Sequence, residues 1–201
     1  MTIIGITGGI GAGKTSVSEI LRELGAVIID ADQISREVTE PRKPAWIEIR
    51  KTFGPDVFNE DETLDRKKLA RIVFSSEEKK LKLEEIIHRE VVAKIEETLK
   101  SLKNSGYDGV VVLDVPIPIE RGFIDIVDRI WVVFCNDETR IQRVMKRSGI
   151  SRADARERIN SQLTQDEYKK LAHETIENNG NFDELKEKVT ALYNKLSLSL
   201  E

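Results

Sequence analysis

Short apolar runs alternate with amphipathic stretches through most of the chain. Residues 3–7, 26–30, 110–115 and 130–135 are nearly continuous apolar runs, and 174–177 is a weaker one. Runs this short and unbroken predict strands buried on both faces. Helical spacing fills the gaps between them. The stretch 14–24 stops before Gly25, a residue suited to the end of a helix. Asp137 is expected to cap a helix with Ile141, Val144 and Met145 on one face. Phe182, Leu185, Val189, Leu192 and Leu196 recur at helical spacing in the last helix. Strands alternating with helices predict an α/β fold, a parallel sheet with helices on both faces.

Two stretches break the alternation. Residues 35–105 have helical periodicity and no convincing strand, with Leu81, Ile86, Ile87, Val91, Ile95 and Leu99 as an apolar stripe. They are expected to form a helical subdomain inserted into a single domain spanning 1–201. Residues 148–171 are a second, highly charged insert, flanked or populated by Arg147, Arg152, Arg156, Arg158, Lys169 and Lys170. Such a run suits either a solvated helical face or a lid closing on phosphates.

Composition narrows the class. Of 201 residues, 39% are hydrophobic and 34% charged, with a formal net charge of −4. That describes an ordinary globular chain and argues against a broad nucleic-acid footprint. Cys135 is the single cysteine, so no disulfide forms within the chain. Its place at the end of an apolar run reads as a small buried residue rather than a nucleophile. The apolar run after Met1 is too short for a signal peptide, and no later run reaches membrane-spanning length. A cytoplasmic protein with no membrane partner is expected. Oligomeric state is not legible.

The sharpest chemical signal is Gly8-Gly9-Ile10-Gly11-Ala12-Gly13-Lys14-Thr15, a complete G-x-x-x-x-G-K-[ST] motif between an apolar run and an amphipathic stretch. Glycines permit unusual backbone angles and close approach, so successive N–H groups converge on an anion. The following helix adds its positive end. Nucleotide contacts are therefore expected from Gly9, Gly11, Ala12, Gly13, Lys14, Thr15 and Ser16. Lys14 would reach the β- and γ-phosphates of ATP, and Thr15 would ligate Mg²⁺.

Two acidic run-ends complete the set. The run 110–113 ends in Asp114, at the carboxyl edge where ligands of parallel sheets bind. It suits a second Mg²⁺ ligand, or simply a turn before Pro116. Residues 28–29 lead into Asp30-Ala31-Asp32. If the chain stays extended, both acids point the same way. Asp32, further past the strand, is the candidate base for a hydroxyl acceptor, and Asp30 a structural or supporting group.

Together these residues resemble the dephospho-coenzyme A kinase family. That family's P-loop looks like Thr7 to Thr15, its Asp-Ala-Asp like 30–32, and its Asp-Val-Pro with a nearby Glu like Asp114-Val115-Pro116 and Glu120. Arg143 and Arg147 match an Arg-x-x-x-Arg, and Gln162, Asn178 and Gly180 match later positions. The resemblance implies a P-loop kinase core with a helical substrate-binding insert at 35–105 and a lid at 148–171. It implies ATP-dependent phosphorylation of the ribose 3′-hydroxyl of dephospho-coenzyme A, the last step of coenzyme A biosynthesis. Asp32 would serve the hydroxyl, and Arg143 and Arg147 would sit on the ATP side. Departures fall at Arg89, Pro118, Tyr168, His173 and Glu177; Tyr168 stands where a basic lid residue is common. Rival readings are a nucleoside or nucleotide kinase, and a nucleotide-operated switch. No Asn-Lys-x-Asp guanine-reading motif is present.

Overall fold

The computed structural model describes residues 1–115 and 126–198; Pro116, Pro118 and Glu120 lie outside them. Five strands form one sheet: β1 (Thr2–Thr7), β2 (Val27–Asp30), β3 (Val110–Asp114), β4 (Arg129–Phe134) and β5 (Glu174–Glu177). Their order is β2-β3-β1-β4-β5, and every pairing is parallel. Each expected strand is present, with ends moved by a residue where the run and the ladder disagree. The central strand β1 lies between β3 and β4, so the chain crosses from one half of the sheet to the other beside its carboxyl end. That is the position where open parallel sheets bind ligands.

Helix α1 (Lys14–Glu23) and helix α9 (Phe182–Leu198) cover one face. Alternate residues Ile4 and Ile6, Val110 and Val112, and Trp131 and Val133 point into this layer, where Val17, Ile20, Leu21, Leu185 and Val189 meet them. The period of two on the strands and near 3.6 on the helices is what joins them. Phe182 does not take part and is 48% exposed, because it is the first residue of its helix. Helix α6 (Asp137–Ser148) follows β4, then α7 (Arg152–Asn160) and α8 (Gln165–Lys170). Ile141 and Val144 of α6 pack with Ala155 and Ile159 of α7. Asn136, not Asp137, caps α6: its Oδ1 accepts from the Thr139 N–H at 2.8 Å. Asn136 has the extended backbone a cap requires, which moves Asp137 into the first turn, 3.3 Å from Arg140.

The chain divides into two compact units, Met1–Asp30 with Tyr107–Glu201, and Ala31–Gly106. The second is helical: α2 (Ala31–Glu37), α3 (Pro44–Phe53), α4 (Arg66–Phe74) and α5 (Glu77–Asn104). The first three all pack on α5. Ile86, Val91, Ile95 and Leu99 are the buried stripe of α5, whereas Leu81 is 44% exposed. A 28-residue helix, about 42 Å long, outreaches the shorter helices packed on it. Trp46 anchors the turn between α3 and α4. Its indole N–H donates to the Glu62 carbonyl at 2.7 Å, and its ring lies 4.9 Å from that of Phe58. Asp65 caps α4, accepting from the Lys67 and Lys68 N–H groups.

Candidate active site

The glycine motif forms the loop between β1 and α1, at the carboxyl end of the central strand. Lys14 is the first residue of α1, and its Nζ donates back to the Gly8 carbonyl at 3.0 Å. The ammonium is thus folded over the loop rather than extended into solvent. Gly8 and Gly13 are demanded by their surroundings. A Cβ on Gly8 would lie 2.2 Å from the Val133 carbonyl oxygen, and one on Gly13 would lie 2.1 Å from Asn178 Nδ2. Both have positive φ, +149° and +98°. Gly13 also starts α1 and, having no side chain, supplies no capping hydrogen bond to the helix's first turn. Thr15 is exposed and Ser16 half-buried in that first turn.

Asp114 ends β3 in register with Ile6 of β1 and Asp30 of β2. Its Oδ2 accepts the Ser18 hydroxyl proton at 2.7 Å. Ser18 is only 5% exposed and belongs to none of the sequence motifs. Its signal was a polar side chain between Val17 and Ile20 on a helix face otherwise apolar. The bond ties the acid of β3 to the helix that carries Lys14 and Thr15. Asp30 and Asp32 do not continue an extended strand. β2 stops at Asp30 and α2 starts at Ala31, so helical rotation of about 100° per residue replaces alternation. Asp32 is exposed in the first turn of α2.

Two arginines of α6 reach the loop. Arg143 donates to the Gly11 and Ala12 carbonyls at 3.4 and 3.3 Å and to Asn178 Oδ1 at 3.4 Å. Asn178, 6% exposed, donates in turn to the Ala12 carbonyl at 2.9 Å. Arg140 was not anticipated. It is 3% exposed, donates Nε–H to the Ile10 carbonyl at 3.2 Å, and fills the space where a Cβ on Gly9 would stand. Among the described residues its Nη2 meets no acceptor. It also lines a cavity of about 610 Å³ with Phe134, Asp137, Gln165 and Lys169. Nothing in the spacing of Arg140, Arg143 and Arg147 separates the buried one from the others; Arg147 is exposed.

The charged insert is attached to the loop. Gln162 Oε1, between α7 and α8, accepts the Ile10 N–H at 2.7 Å. Arg152 is paired with Glu138 through two bonds of 2.8 and 2.6 Å, and this holds the Glu138 carboxyl down at about 2. Tyr168 is buried, which raises its hydroxyl pKa. Lys169 lies 4.0 Å over the Phe134 ring. His173 Nδ1 accepts the Ile130 N–H at 3.0 Å, a structural bond. Cys135 is 1% exposed, and burial pushes its thiol pKa up against the pull of Arg143, so it is no ready nucleophile.

A lysine folded over a glycine loop, on a parallel sheet with an acid at the neighbouring strand's end, defines a P-loop nucleotide-binding core. The dephospho-CoA kinase family profile matches residues 2–184. The chain is 43% identical to a dephospho-CoA kinase of Carboxydothermus hydrogenoformans, over 97% of this chain and 94% of that protein. Among solved structures, TT1252 from Thermus thermophilus superposes with a TM-score of 0.81 at 33% identity, covering 97% of both chains. A dephospho-CoA kinase from Campylobacter jejuni superposes with a TM-score of 0.74 at 25% identity, covering 99% of this chain and 98% of that one. The chain belongs to the dephospho-CoA kinase family.

Proposed function

We propose that this chain transfers the γ-phosphoryl group of ATP to the ribose 3′-hydroxyl of dephospho-coenzyme A, giving coenzyme A and ADP. The observation that carries the reading is family membership over the full fold, joined to an intact glycine loop with Lys14 folded over it. The loop's N–H groups and Lys14 bind the β- and γ-phosphates and offset charge on the moving phosphoryl group. Gly9, Gly11, Ala12, Gly13, Thr15 and Ser16 line this cradle. Arg143 holds the nucleotide from the α6 side, and exposed Arg147 meets phosphate when the insert at 148–171 closes as a lid. Asp32 accepts the proton of the attacking hydroxyl. The helical segment 35–105 binds the acceptor.

Mg²⁺ fits the groups present. Thr15 and Asp114 are hard oxygen donors, and Ser18 already orients the Asp114 carboxylate. The ion would neutralise phosphate charge when bound. We place the protein in the cytoplasm, where a lone cysteine such as Cys135 stays a thiol. Among the described residues, no helix is long and apolar enough to cross a membrane.

The first test is ADP release from Mg-ATP with and without dephospho-coenzyme A. Release that depends on the acceptor is expected. Equal release in its absence would instead mark an ATP-hydrolysing switch.

A further inference from the structure

Phosphate is held by N–H groups and repelled by carbonyl oxygens, so a glycine loop binds it only with its carbonyls turned away. In this loop each carbonyl from position 8 to 13 has a donor within the protein. That of Gly8 accepts from Lys14 Nζ, that of Gly9 from the Ala12 N–H at 3.1 Å, and that of Gly13 from the Val17 N–H at 3.4 Å. Arg143 donates to the Gly11 carbonyl, and Arg143 and Asn178 to that of Ala12. The Ile10 carbonyl takes its bond from Arg140 Nε–H at 3.2 Å.

The Ile10–Gly11 peptide has two ways to lie. The bond from the Ala12 N–H to the Gly9 carbonyl closes a four-residue turn with Ile10 and Gly11 at its centre. Gly11 has a φ of +80° and Ile10 is not left-handed, the signature of a type II turn. A type I turn closes the same hydrogen bond with its central peptide rotated by roughly 180°. Glycine adopts the backbone angles of either form, so Gly11 does not choose between them. The Gln162 bond holds the Ile10 N–H, which belongs to the preceding peptide and does not choose either.

Arg140 does choose. No peptide bond here is cis, so the C=O and N–H of the central peptide point opposite ways. A carbonyl held against α6 by Arg140 sends the Gly11 N–H away from α6. The type I form would put an oxygen there instead. The guanidinium is also fixed in place. It is 3% exposed, occupies the space that a Cβ on Gly9 would need, and lies 3.3 Å from Asp137, whose own side chain is 72% exposed. Glycine at position 9 is thus what lets Arg140 reach the turn.

We propose that Arg140 is a positioning residue for phosphate binding: from behind the loop it holds the Ile10 carbonyl and so selects the turn that presents the Gly11 N–H to the nucleotide. The inference rests on the nucleotide half of the kinase reading and is independent of the acceptor.

The test combines calorimetric titration with Mg-ADP and proton–nitrogen correlation spectra that follow the Gly11 amide. The variants are Arg140→Met, which keeps bulk and removes the donors, and Arg140→Gln, which keeps a donor; each is checked for folding by far-UV circular dichroism and Tm. Kd for Mg-ADP is expected to rise about tenfold or more in Arg140→Met, with part of the loss recovered in Arg140→Gln. In wild type the Gly11 amide proton moves downfield on Mg-ADP binding, and in Arg140→Met it does not. A folded Arg140→Met protein with Kd within twofold of wild type overturns the inference. So does a lowered Tm with the Gly11 shift retained, which would make Arg140 a tie between α6 and the loop and nothing more. If Arg140→Met does not fold, Arg140→Gln carries the affinity comparison, and a wild-type Gly11 amide that ignores Mg-ADP overturns the inference by itself. Wild-type protein that shows the Gly11 shift but never phosphorylates dephospho-coenzyme A overturns the acceptor reading and leaves the role of Arg140 standing.

Discussion

Replacing Asp32 by Asn is expected to lower kcat by about 10²- to 10⁴-fold while KM for ATP stays near the wild-type value. The substitution keeps the size of the side chain and removes its ability to take a proton. Asp32 is exposed in the first turn of α2, where a charged side chain bears no packing role. The fold should therefore survive, and loss of rate without loss of ATP binding isolates the chemical step. Asp30→Asn is the necessary comparison. Asp30 ends β2 in register with Asp114, inside the sheet unit that carries the phosphate loop. If Asp30→Asn loses more turnover than Asp32→Asn, the base has been assigned to the wrong carboxylate.

Gly8→Ala is expected to destabilise the protein by about 3 kcal/mol and to abolish ATP-dependent transfer. The added methyl would meet the Val133 carbonyl oxygen at 2.2 Å. That oxygen is backbone of β4, where Val133 pairs with Ile176 of β5, so it cannot swing away as a side chain would. The φ of +149° adds strain for any residue with a Cβ. The loop has to retreat from the sheet, which also breaks the Lys14 bond to the Gly8 carbonyl. For a chain of this size the loss corresponds to a fall in Tm of about 6–12 °C, read by calorimetry or circular dichroism. An unchanged Tm with normal turnover would show that the loop is not pressed against β4.

The parts of this protein legible in its sequence are those encoded locally. The loop from Gly8 to Thr15 is one contiguous segment whose residue types serve backbone geometry, so its place between β1 and α1 followed from its flanks. The strands were visible because burial on both faces leaves unbroken apolar runs. What escaped depends on residues far apart in the chain. Ser18 and Asp114 are 96 positions apart, and only the register of β3 against β1 brings the acid to α1. Arg140 resembles Arg143 and Arg147 in sequence, yet α6 turns it against Gly9 and the Ile10 carbonyl. Asn136 and Asp137 are both capping types, and the backbone at 136 decided between them. Extending strand alternation through Asp32 failed because α2 begins at once after β2, with no intervening loop.

The decisive measurement is the identity of the product. Purified protein is incubated with Mg-ATP and dephospho-coenzyme A, and the acceptor is recovered for mass and phosphorus NMR analysis. One ADP per product molecule is expected, with a mass gain of one phosphate and a new phosphomonoester on the ribose 3′-carbon. Unmodified acceptor in the presence of bound ATP, or phosphate attached at another hydroxyl, would contradict a dephospho-coenzyme A 3′-kinase.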